Sequence, residues 1–242
     1  MKKFLKNLLG SLPPALEVRC LWFYRWLRYR FGGQYKKITP LPPSMDANLK
    51  NCHGWFWNAA HYLHANRLDG VYVEFGSHEA NTFRIALNTL GYYARWGKPH
   101  IQHFYAFDSF EGMPEPKGID KQKIWRAGMN VTSEKKFKKK CAFDLYRMTT
   151  VKGFYEDTLS KLPWNYDHKI VLAYIDCDYY SSTVEVLKFL RDKLSHGAIL
   201  AFDDWNCYYG DPERGEKRAF GEFQAAVGSE VHFEPFLPIS FG

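Results

Sequence analysis

Two pairs of aspartates follow short apolar runs of this chain. Asp176 and Asp178 come after one such run, and Asp203 and Asp204 come after another. Carboxylates this close together repel one another unless a cation or shared protons compensate for their charge. Carboxylate-rich sites suit hard divalent cations such as Mg²⁺, Mn²⁺ or Ca²⁺. The two pairs together therefore predict a metal site, although either pair alone is more simply interpreted as a helix cap or a solvated turn.

A sheet must bring the two pairs together, and the hydropathy pattern predicts one. The predicted strands lie at 71–75, 103–107, 148–151, 170–175, 198–202 and, more weakly, 231–236, and the predicted helices at 49–66, 78–91, 133–146, 180–194 and 214–227. This alternation predicts a Rossmann-like α/β fold, with a mostly parallel central sheet and helices on both faces. Ligands bind such sheets outside the carboxyl ends of the strands, so both aspartate pairs are expected at one edge.

The first two predicted strands end in residues that suit a nucleoside. Glu74 and Gly76 close the first strand, Ser77 follows them, and Asp108 ends the second. Glycine at the first turn lets a ligand approach the backbone, and an acidic residue at the second strand end is placed to accept hydrogen bonds from ribose hydroxyls. The later glycines of the GxGxxG motif, which cradle a pyrophosphate, are missing, so a dinucleotide is disfavoured. S-adenosylmethionine needs no phosphate cradle and fits this pattern.

Two irregular stretches organise the chain. Residues 39–46 are rich in proline and separate a basic, aromatic, helical extension at 1–43 from a main domain at 44–242. Residues 109–131, called the connecting segment below, contain several glycines and prolines between a predicted strand and a predicted helix. A connection of this length is typical of a lid or a binding loop.

The net charge of +7 is concentrated at residues 2–37 and 135–140. No nucleic-acid-binding signature accompanies it, so we expect no nucleic-acid partner. The lysines at 135–140 fall within a predicted helix and are interpreted as a solvated face. Residues 20–31 interleave aromatic rings with arginines, which suits either an anionic membrane surface or packing on the core or a second subunit. Packing, including a homo-oligomer, is favoured over peripheral membrane contact through residues 1–37.

Cysteine usage and hydropathy predict the compartment. The five cysteines are odd in number and lack CxxC spacing, which favours a reducing environment. Lys6 and Asn7 interrupt the first apolar stretch, and no run of about 18 apolar residues occurs in the sequence. We therefore expect a cytoplasmic protein, with peripheral contact at the inner face of a membrane as the open alternative.

Four segments resemble, in order and spacing, the macrocin O-methyltransferase family. They are 74–76, 105–114, 153–159 and 176–183. The resemblance runs from about residue 44 to 223. It implies a class I methyltransferase fold and a magnesium-dependent enzyme that moves a methyl group from S-adenosylmethionine to a hydroxyl of a sugar or glycan-containing acceptor. The chain departs from the family at residues 78–81, which replace Trp-Arg-Gly-Gly, and at Cys177, which replaces a glycine.

The resemblance also implies roles for the aspartates. Asp176, Asp203 and Asp204 are expected to bind Mg²⁺ or Mn²⁺. Asp178 is expected to be either the general base for the acceptor hydroxyl or the N-cap of the helix that begins near residue 180, two interpretations of about equal weight. Asp176 is the alternative general base.

Further residues are expected to bind the cofactor. Asp108 would bind the ribose, and Ser109 and Phe110 would border the adenosine. The remaining assignments place Glu74, Gly76 and Ser77 around the methionine end, Gly153 and Phe154 beside the adenine, and Met45 in an N-terminal segment that closes over the cofactor.

The acceptor is the least determined part of the prediction. Trp125, Trp205, Tyr208 and Tyr209 are candidates to stack on a sugar or an aromatic ring. The alternatives are methylation of a phenolic or amine small molecule on the same scaffold, and a non-catalytic, membrane-associated protein that keeps the fold.

Overall fold

The computed structural model describes residues 43–91, 101–164 and 168–239, with side chains described from residue 51 onward. Residues 1–42, which hold nearly all of the predicted extension, lie outside this part. The elements, in chain order, are α1 (Pro43–Ala65), β1 (Gly70–Phe75), α2 (Asn81–Thr89), β2 (Ile101–Asp108), α3 (Glu134–Lys140), β3 (Met148–Lys152), α4 (Tyr155–Thr158), β4 (Ile170–Ile175), α5 (Tyr180–Leu190), β5 (Leu194–Phe202) and α6 (Gly215–Val227).

The five strands form one parallel sheet in the order β3-β2-β1-β4-β5. The strand order reverses between β1 and β4, which is the place where ligands bind in open sheets of this kind. Phe75 at the end of β1 pairs with Phe107 of β2 and with Ile175 of β4, and Ile175 pairs with Phe202 of β5. The strand ends are therefore level, and the residues that follow them share one edge. The predicted α/β fold with a parallel sheet is confirmed.

Aromatic side chains fill the core on both faces of the sheet. On one face α1, α2 and α3 cover the sheet, with Phe56 stacked on Tyr174 at a centroid distance of 5.7 Å. On the other face α5 and α6 pack beside the stacked pair of Phe75 and Phe107, whose centroids are 4.7 Å apart. In the described part of the chain these buried rings serve the core, since large rings remove much apolar area from water.

The strand predicted at 231–236 is wrong, because these residues are irregular. Their side chains cover the helices instead of extending the sheet. Phe233 packs edge-on against Phe220 at 5.2 Å, and Phe236 packs against Trp55 at 6.0 Å. The indole N–H of Trp55 donates to the carbonyl of Leu237 at 2.9 Å. Aromatic alternation in this segment reflects helix contacts and not a sheet.

Several predicted boundaries also move. The helix predicted at 133–146 ends at Lys140 and continues as turns, and the helix predicted at 180–194 ends at Leu190 so that β5 can begin at Leu194. Helix α1 begins at Pro43, inside the predicted break at 39–46. Proline suits the first turn of a helix because it has no backbone N–H, and an N–H at that position would have no intrahelical acceptor. Within the described ranges, no helix has both the length and the apolar character needed to span a membrane.

Candidate functional site

The ends of β1 and β4 touch through a glycine. Gly76 has φ +86°, and a Cβ atom there would stand 1.8 Å from the carbonyl oxygen of Asp176. The backbone N–H of Gly76 donates to Phe107, and that of Asp176 donates to Phe75, each at 2.9 Å. Only glycine allows this approach, since any side chain would collide with the Asp176 backbone. The sequence predicted that Gly76 lets a ligand approach the backbone. In the structure, the group that approaches Gly76 closely is the backbone of Asp176 at the end of β4.

Three carboxylates meet at the edge formed by β4 and β5. One oxygen each of Asp176, Asp178 and Asp204 lies within 4.8 Å of the other two, and these three residues are called the carboxylate centre. The backbone N–H of Asp178 donates to Oδ2 of Asp204 at 3.0 Å. Asp203, the remaining predicted ligand, accepts a short hydrogen bond at Oδ1 from the hydroxyl of Tyr174. The structure thus groups two of the three predicted ligands with Asp178.

The carboxylate centre is electrostatically strained. Burial, followed by repulsion from Asp203 and Asp204, raises the pKa of Asp176 well above its usual range. The same causes raise the pKa of Asp178 to about 8. Burial also raises the pKa of Asp203 and that of Asp204. Crowded buried carboxylates favour either protons or a compensating cation, so the donor set fits a hard divalent metal ion.

Asp178 does not cap helix α5. The N-cap position is Tyr179, whose side chain makes no capping bond. Asp178 has φ +58°, in the left-handed region that non-glycine residues rarely adopt. The carboxylate that caps α5 comes from Asp120 in the connecting segment, which accepts from the N–H groups of Tyr180 at 2.8 Å and Ser181 at 3.2 Å. The N-cap interpretation of Asp178 is therefore wrong, and its general-base role stays a prediction.

A cavity of about 520 Å³ opens beside the carboxylate centre. Its walls come from the ends of β1, β2 and β4, from the connecting segment and from the starts of α4 and α5. Among the predicted site residues, those that line it are Gly76, Asp108, Ser109, Phe154, Asp176 and Asp178. Six acidic residues and a single lysine line the cavity. This excess of acidic groups suits a positively charged cofactor such as a sulfonium.

The other predicted cofactor residues are not among those that line the cavity. Glu74 is 1% exposed and accepts from the Tyr72 hydroxyl at 2.5 Å, and burial raises its pKa to about 8. Ser77 is buried, and Phe110 packs against Phe137. Gly153 donates its N–H to the carbonyl of Asp108 at 3.1 Å. Met45 lies in the first turns of α1, and its side chain is outside the described part.

Asp108 is held by backbone donors. Its Oδ2 accepts from the N–H of His78 at 2.8 Å, and its Oδ1 accepts from the N–H of Phe110 at 2.6 Å. Burial raises the pKa of Asp108, while these two hydrogen bonds act in the opposite direction. Each carboxylate oxygen can accept a second hydrogen bond, so a ribose diol can still be bound.

The turn after β1 is clamped by the lysine-rich helix α3. Lys136 and Lys140 contact the two carboxylate oxygens of Glu79 at 2.6 Å and 2.9 Å. These contacts hold the pKa of Glu79 at about 2. A third lysine, Lys138, pairs with Glu134 on its own helix at 2.5 Å. Much of the positive charge predicted to form a solvated face therefore has acidic partners.

Comparison with known proteins decides the family. The sequence profile of the family described as Macrocin-O-methyltransferase (TylF) matches residues 53–227, well over half of the chain. The chain belongs to the macrocin O-methyltransferase family. The resemblance expected from the four motifs is confirmed, the chain is an O-methyltransferase, and family membership implies that it uses S-adenosylmethionine.

Solved structures of other methyltransferases share the fold. The O-methyltransferase NovP is 20% identical with a TM-score of 0.60, and the match covers 78% of this chain and 76% of that one. The calicheamicin methyltransferase CalS11 is 20% identical with a TM-score of 0.59, covering 93% of this chain and 82% of that one. Its apo structure, described as a TDP-rhamnose 3'-O-methyltransferase, is 20% identical with a TM-score of 0.55, covering 98% and 87%. No curated protein matches this methyltransferase significantly.

The four predicted acceptor aromatics of this family member do not form one surface. Trp205 packs against Phe220 at 5.7 Å, and Tyr208 is buried with its hydroxyl donating to the Asp178 carbonyl at 2.9 Å. Trp125 contacts Tyr179 edge-on at 6.3 Å, whereas Tyr209 is fully exposed. None of the four is among the residues that line the cavity.

Two acidic residues of the methyltransferase escaped sequence reasoning. Asp120 is 1% exposed and lies in a short 3₁₀ turn, Gly118–Asp120, of the connecting segment. Glu216 is also 1% exposed and accepts from the N–H of Asp204 at 3.1 Å through Oε2. Burial and repulsion from Asp204 raise the pKa of Glu216 well above its usual range. Neither follows an apolar run, so no local signal distinguished them from solvated acids.

Proposed function

We propose that this methyltransferase transfers a methyl group from S-adenosylmethionine to a hydroxyl of a sugar or glycan-containing acceptor and requires Mg²⁺ or Mn²⁺. The observation that carries the proposal is that oxygens of Asp176, Asp178 and Asp204 lie within 4.8 Å of one another, with Asp176 and Asp178 lining the cavity. A hydroxyl is a poor nucleophile at neutral pH. A divalent cation at this place supplies Lewis acidity and orientation for it.

The cofactor is assigned to the β1 and β2 side of the cavity. Asp108 would accept from the ribose hydroxyls, with Ser109 and Phe154 beside the adenosine. Gly76 would shape the wall at the methionine end, backed by Glu74 and Ser77, which are buried. Phe110 and Gly153 would hold Asp108 in place through the contacts described above, and Met45 would close the site from α1.

Asp176, Asp203 and Asp204 are proposed as metal ligands, with Asp178 as general base. Support comes from the proximity of Asp176 to Asp204 and from the effect of Asp203 on Asp176, whose pKa it raises. An oxygen of Asp178 lies within 4.8 Å of oxygens of Asp176 and Asp204, so its carboxylate would stand beside a hydroxyl held at the metal and could accept its proton. In the alternative, Asp176 is the general base, and Asp178 is a ligand together with Asp204, since its oxygen belongs to the carboxylate centre.

The lining of the cavity favours a polyhydroxylated acceptor over a phenol. Ser181, Ser182 and Glu185 of α5 and Glu115 and Lys117 of the connecting segment line it. Hydroxyl and carboxylate groups hydrogen-bond sugar hydroxyls, whereas a flat aromatic acceptor favours apolar walls. The description of CalS11 as an enzyme acting on a rhamnose hydroxyl points in the same direction. Membrane contact through residues 1–37 and a homo-oligomer stay predictions.

Calorimetric titration tests the proposal directly. The full chain is titrated with S-adenosylmethionine and with S-adenosylhomocysteine, and separately with Mg²⁺ and Mn²⁺, using EDTA-treated protein as the metal-free state. We expect both cofactor forms to bind, and the metal ions to bind only protein with intact aspartates. Cofactor binding then justifies screening hydroxylated glycans as acceptors. A folded sample that binds neither cofactor form would contradict the proposed function.

A further inference from the structure

The backbone of Asp178 is fixed from several directions. Its φ of +58° is sterically unfavourable for a non-glycine residue and persists only where the surroundings enforce it. The N–H of Asp178 donates to Asp204, and its carbonyl accepts from the Tyr208 hydroxyl at 2.9 Å. The N–H of Tyr179 donates to the carbonyl of Cys177 at 2.5 Å, which closes a tight turn around Asp178.

Asp120 fixes the residues that follow this turn. Both of its carboxylate oxygens accept backbone N–H groups, from Tyr180 and Ser181 at the start of α5. A carboxylate satisfies the free N–H groups of a helix N-terminus and interacts favourably with the helix dipole. Because Tyr179 provides no capping bond of its own, the start of α5 depends on a residue 60 positions earlier in the chain.

Arg214 links the same turn of the connecting segment to the other side of Asp178. Its Nη2 donates to the carbonyl of Ile119 at 2.7 Å, and its guanidinium lies 4.7 Å from the centroid of the Tyr208 ring. Tyr208 in turn holds the Asp178 carbonyl. The turn Gly118–Asp120 therefore reaches Asp178 by two routes, one through α5 and one through Arg214 and Tyr208.

We propose that Asp120 is a positioning residue: by docking the connecting segment on α5 it sets the backbone of Asp178 and completes the carboxylate centre. The inference rests on the proposed function, in which this centre binds a divalent cation. Residues 112–115 and Lys117 of the connecting segment line the cavity, as does Asp178. The contact between Asp120 and α5 therefore both places the connecting segment in the cavity wall and orders the carboxylate centre.

The test compares Asp120→Ala and Asp120→Asn with a matched control, Asp144→Ala, in the full chain. Asp144 is also a buried aspartate, but it pairs with Arg147 at 2.8 Å and does not line the cavity. Mn²⁺ affinity is measured by calorimetry and S-adenosylmethionine affinity separately. Hydrogen exchange is followed in the peptide covering residues 176–183, and thermal unfolding reports stability.

We expect Asp120→Ala to weaken Mn²⁺ binding about 10-fold or more, as is typical when a group that orients metal ligands is lost. Exchange in the 176–183 peptide should rise, while Asp144→Ala lowers the melting temperature and leaves Mn²⁺ affinity unchanged. Asp120→Asn should cause a smaller but measurable loss of affinity, because its amide oxygen still accepts one of the two N–H groups while its amide nitrogen cannot accept the other, and it serves as the test variant if Asp120→Ala does not fold.

Three results would overturn the inference. If Asp120→Ala bound Mn²⁺ as tightly as the wild type, Asp120 would not be coupled to the carboxylate centre. If Asp144→Ala lost as much Mn²⁺ affinity as Asp120→Ala, the effect would not be specific to Asp120. Absence of Mn²⁺ binding in the wild-type protein would refute the cation itself, and the inference would fall together with that part of the proposed function. The two failures are thus distinguishable by the wild-type titration alone.

Discussion

The backbone N–H of Asp178 donates to the Oδ2 atom of Asp204 at 3.0 Å, so the segments that follow β4 and β5 are joined directly at the carboxylate centre. This bond makes Asp204 both a candidate ligand and a structural partner. An asparagine at position 204 keeps an oxygen that can accept the bond but loses the negative charge. Charge and architecture can therefore be separated by substitution.

Asp204→Asn is expected to abolish metal-dependent turnover while S-adenosylmethionine affinity stays within about two-fold of the wild type, because the cofactor side of the cavity is unchanged. Turnover is measured against Mg²⁺ concentration, and cofactor affinity is measured by calorimetry in EDTA for both proteins, so that no cation contributes to it. The control is Asp192→Asn, which changes an exposed aspartate in the turn after α5. Turnover by Asp204→Asn that equals the wild type and resists EDTA would rule out the metal site.

Asp178→Asn and Asp203→Asn separate the two assignments of the ligands. If Asp178 is the general base, Asp178→Asn lowers turnover by roughly 10²- to 10⁴-fold and retains Mn²⁺ binding. Asp203→Asn should instead weaken Mn²⁺ binding. The measurements are single-turnover rates and Mn²⁺ titrations of both variants. The reverse pattern, with Mn²⁺ binding lost in Asp178→Asn and kept in Asp203→Asn, would support the alternative in which Asp178 is a ligand and Asp176 is the base.

Gly76→Ala should destabilise the fold. The added Cβ would lie 1.8 Å from the carbonyl oxygen of Asp176. The alanine would also have to adopt the left-handed backbone conformation of Gly76. Overpacking typically costs about 1–3 kcal/mol and a left-handed residue about 1–2 kcal/mol. Gly54→Ala in α1 is the control, since a Cβ there meets nothing within 4 Å, and it should stabilise by up to about 1 kcal/mol. Urea unfolding measures both, and equal stability of Gly76→Ala and wild type would disprove the contact.

The pH dependence of stability should reveal the raised pKa values. Asp178 and Glu74 have pKa values of about 8 in the folded protein, against roughly 4 in an unfolded chain. The folded state therefore binds more protons between these values, and metal-free protein should lose stability as pH rises from about 4 to about 8. Mg²⁺ should flatten this slope. Unfolding curves in EDTA and in Mg²⁺ check the sign, which would be wrong if metal-free stability rose across this window.

The sequence predicted β1 and β4 well because every residue of these two strands is buried and most of them are apolar. It placed the aspartate pairs at one edge because parallel strands of equal depth end together. It could not assign the cap of α5, since Asp120 is 60 positions away and no periodic pattern marks it. Nor could it foresee the left-handed backbone of Asp178, which is imposed by tertiary contacts. The aromatic residues near the site were equally ambiguous, because core and surface rings look alike in a sequence.

The contact between Gly76 and the Asp176 backbone has a thermodynamic consequence. The turn that borders the cofactor cavity and the strand end that carries a carboxylate are in direct backbone contact, so that neither can shift without the other. A ligand that orders either side orders the other, so cofactor and cation should bind with positive heterotropic cooperativity. Such coupling is reciprocal: the factor by which the cation tightens the cofactor equals the factor by which the cofactor tightens the cation.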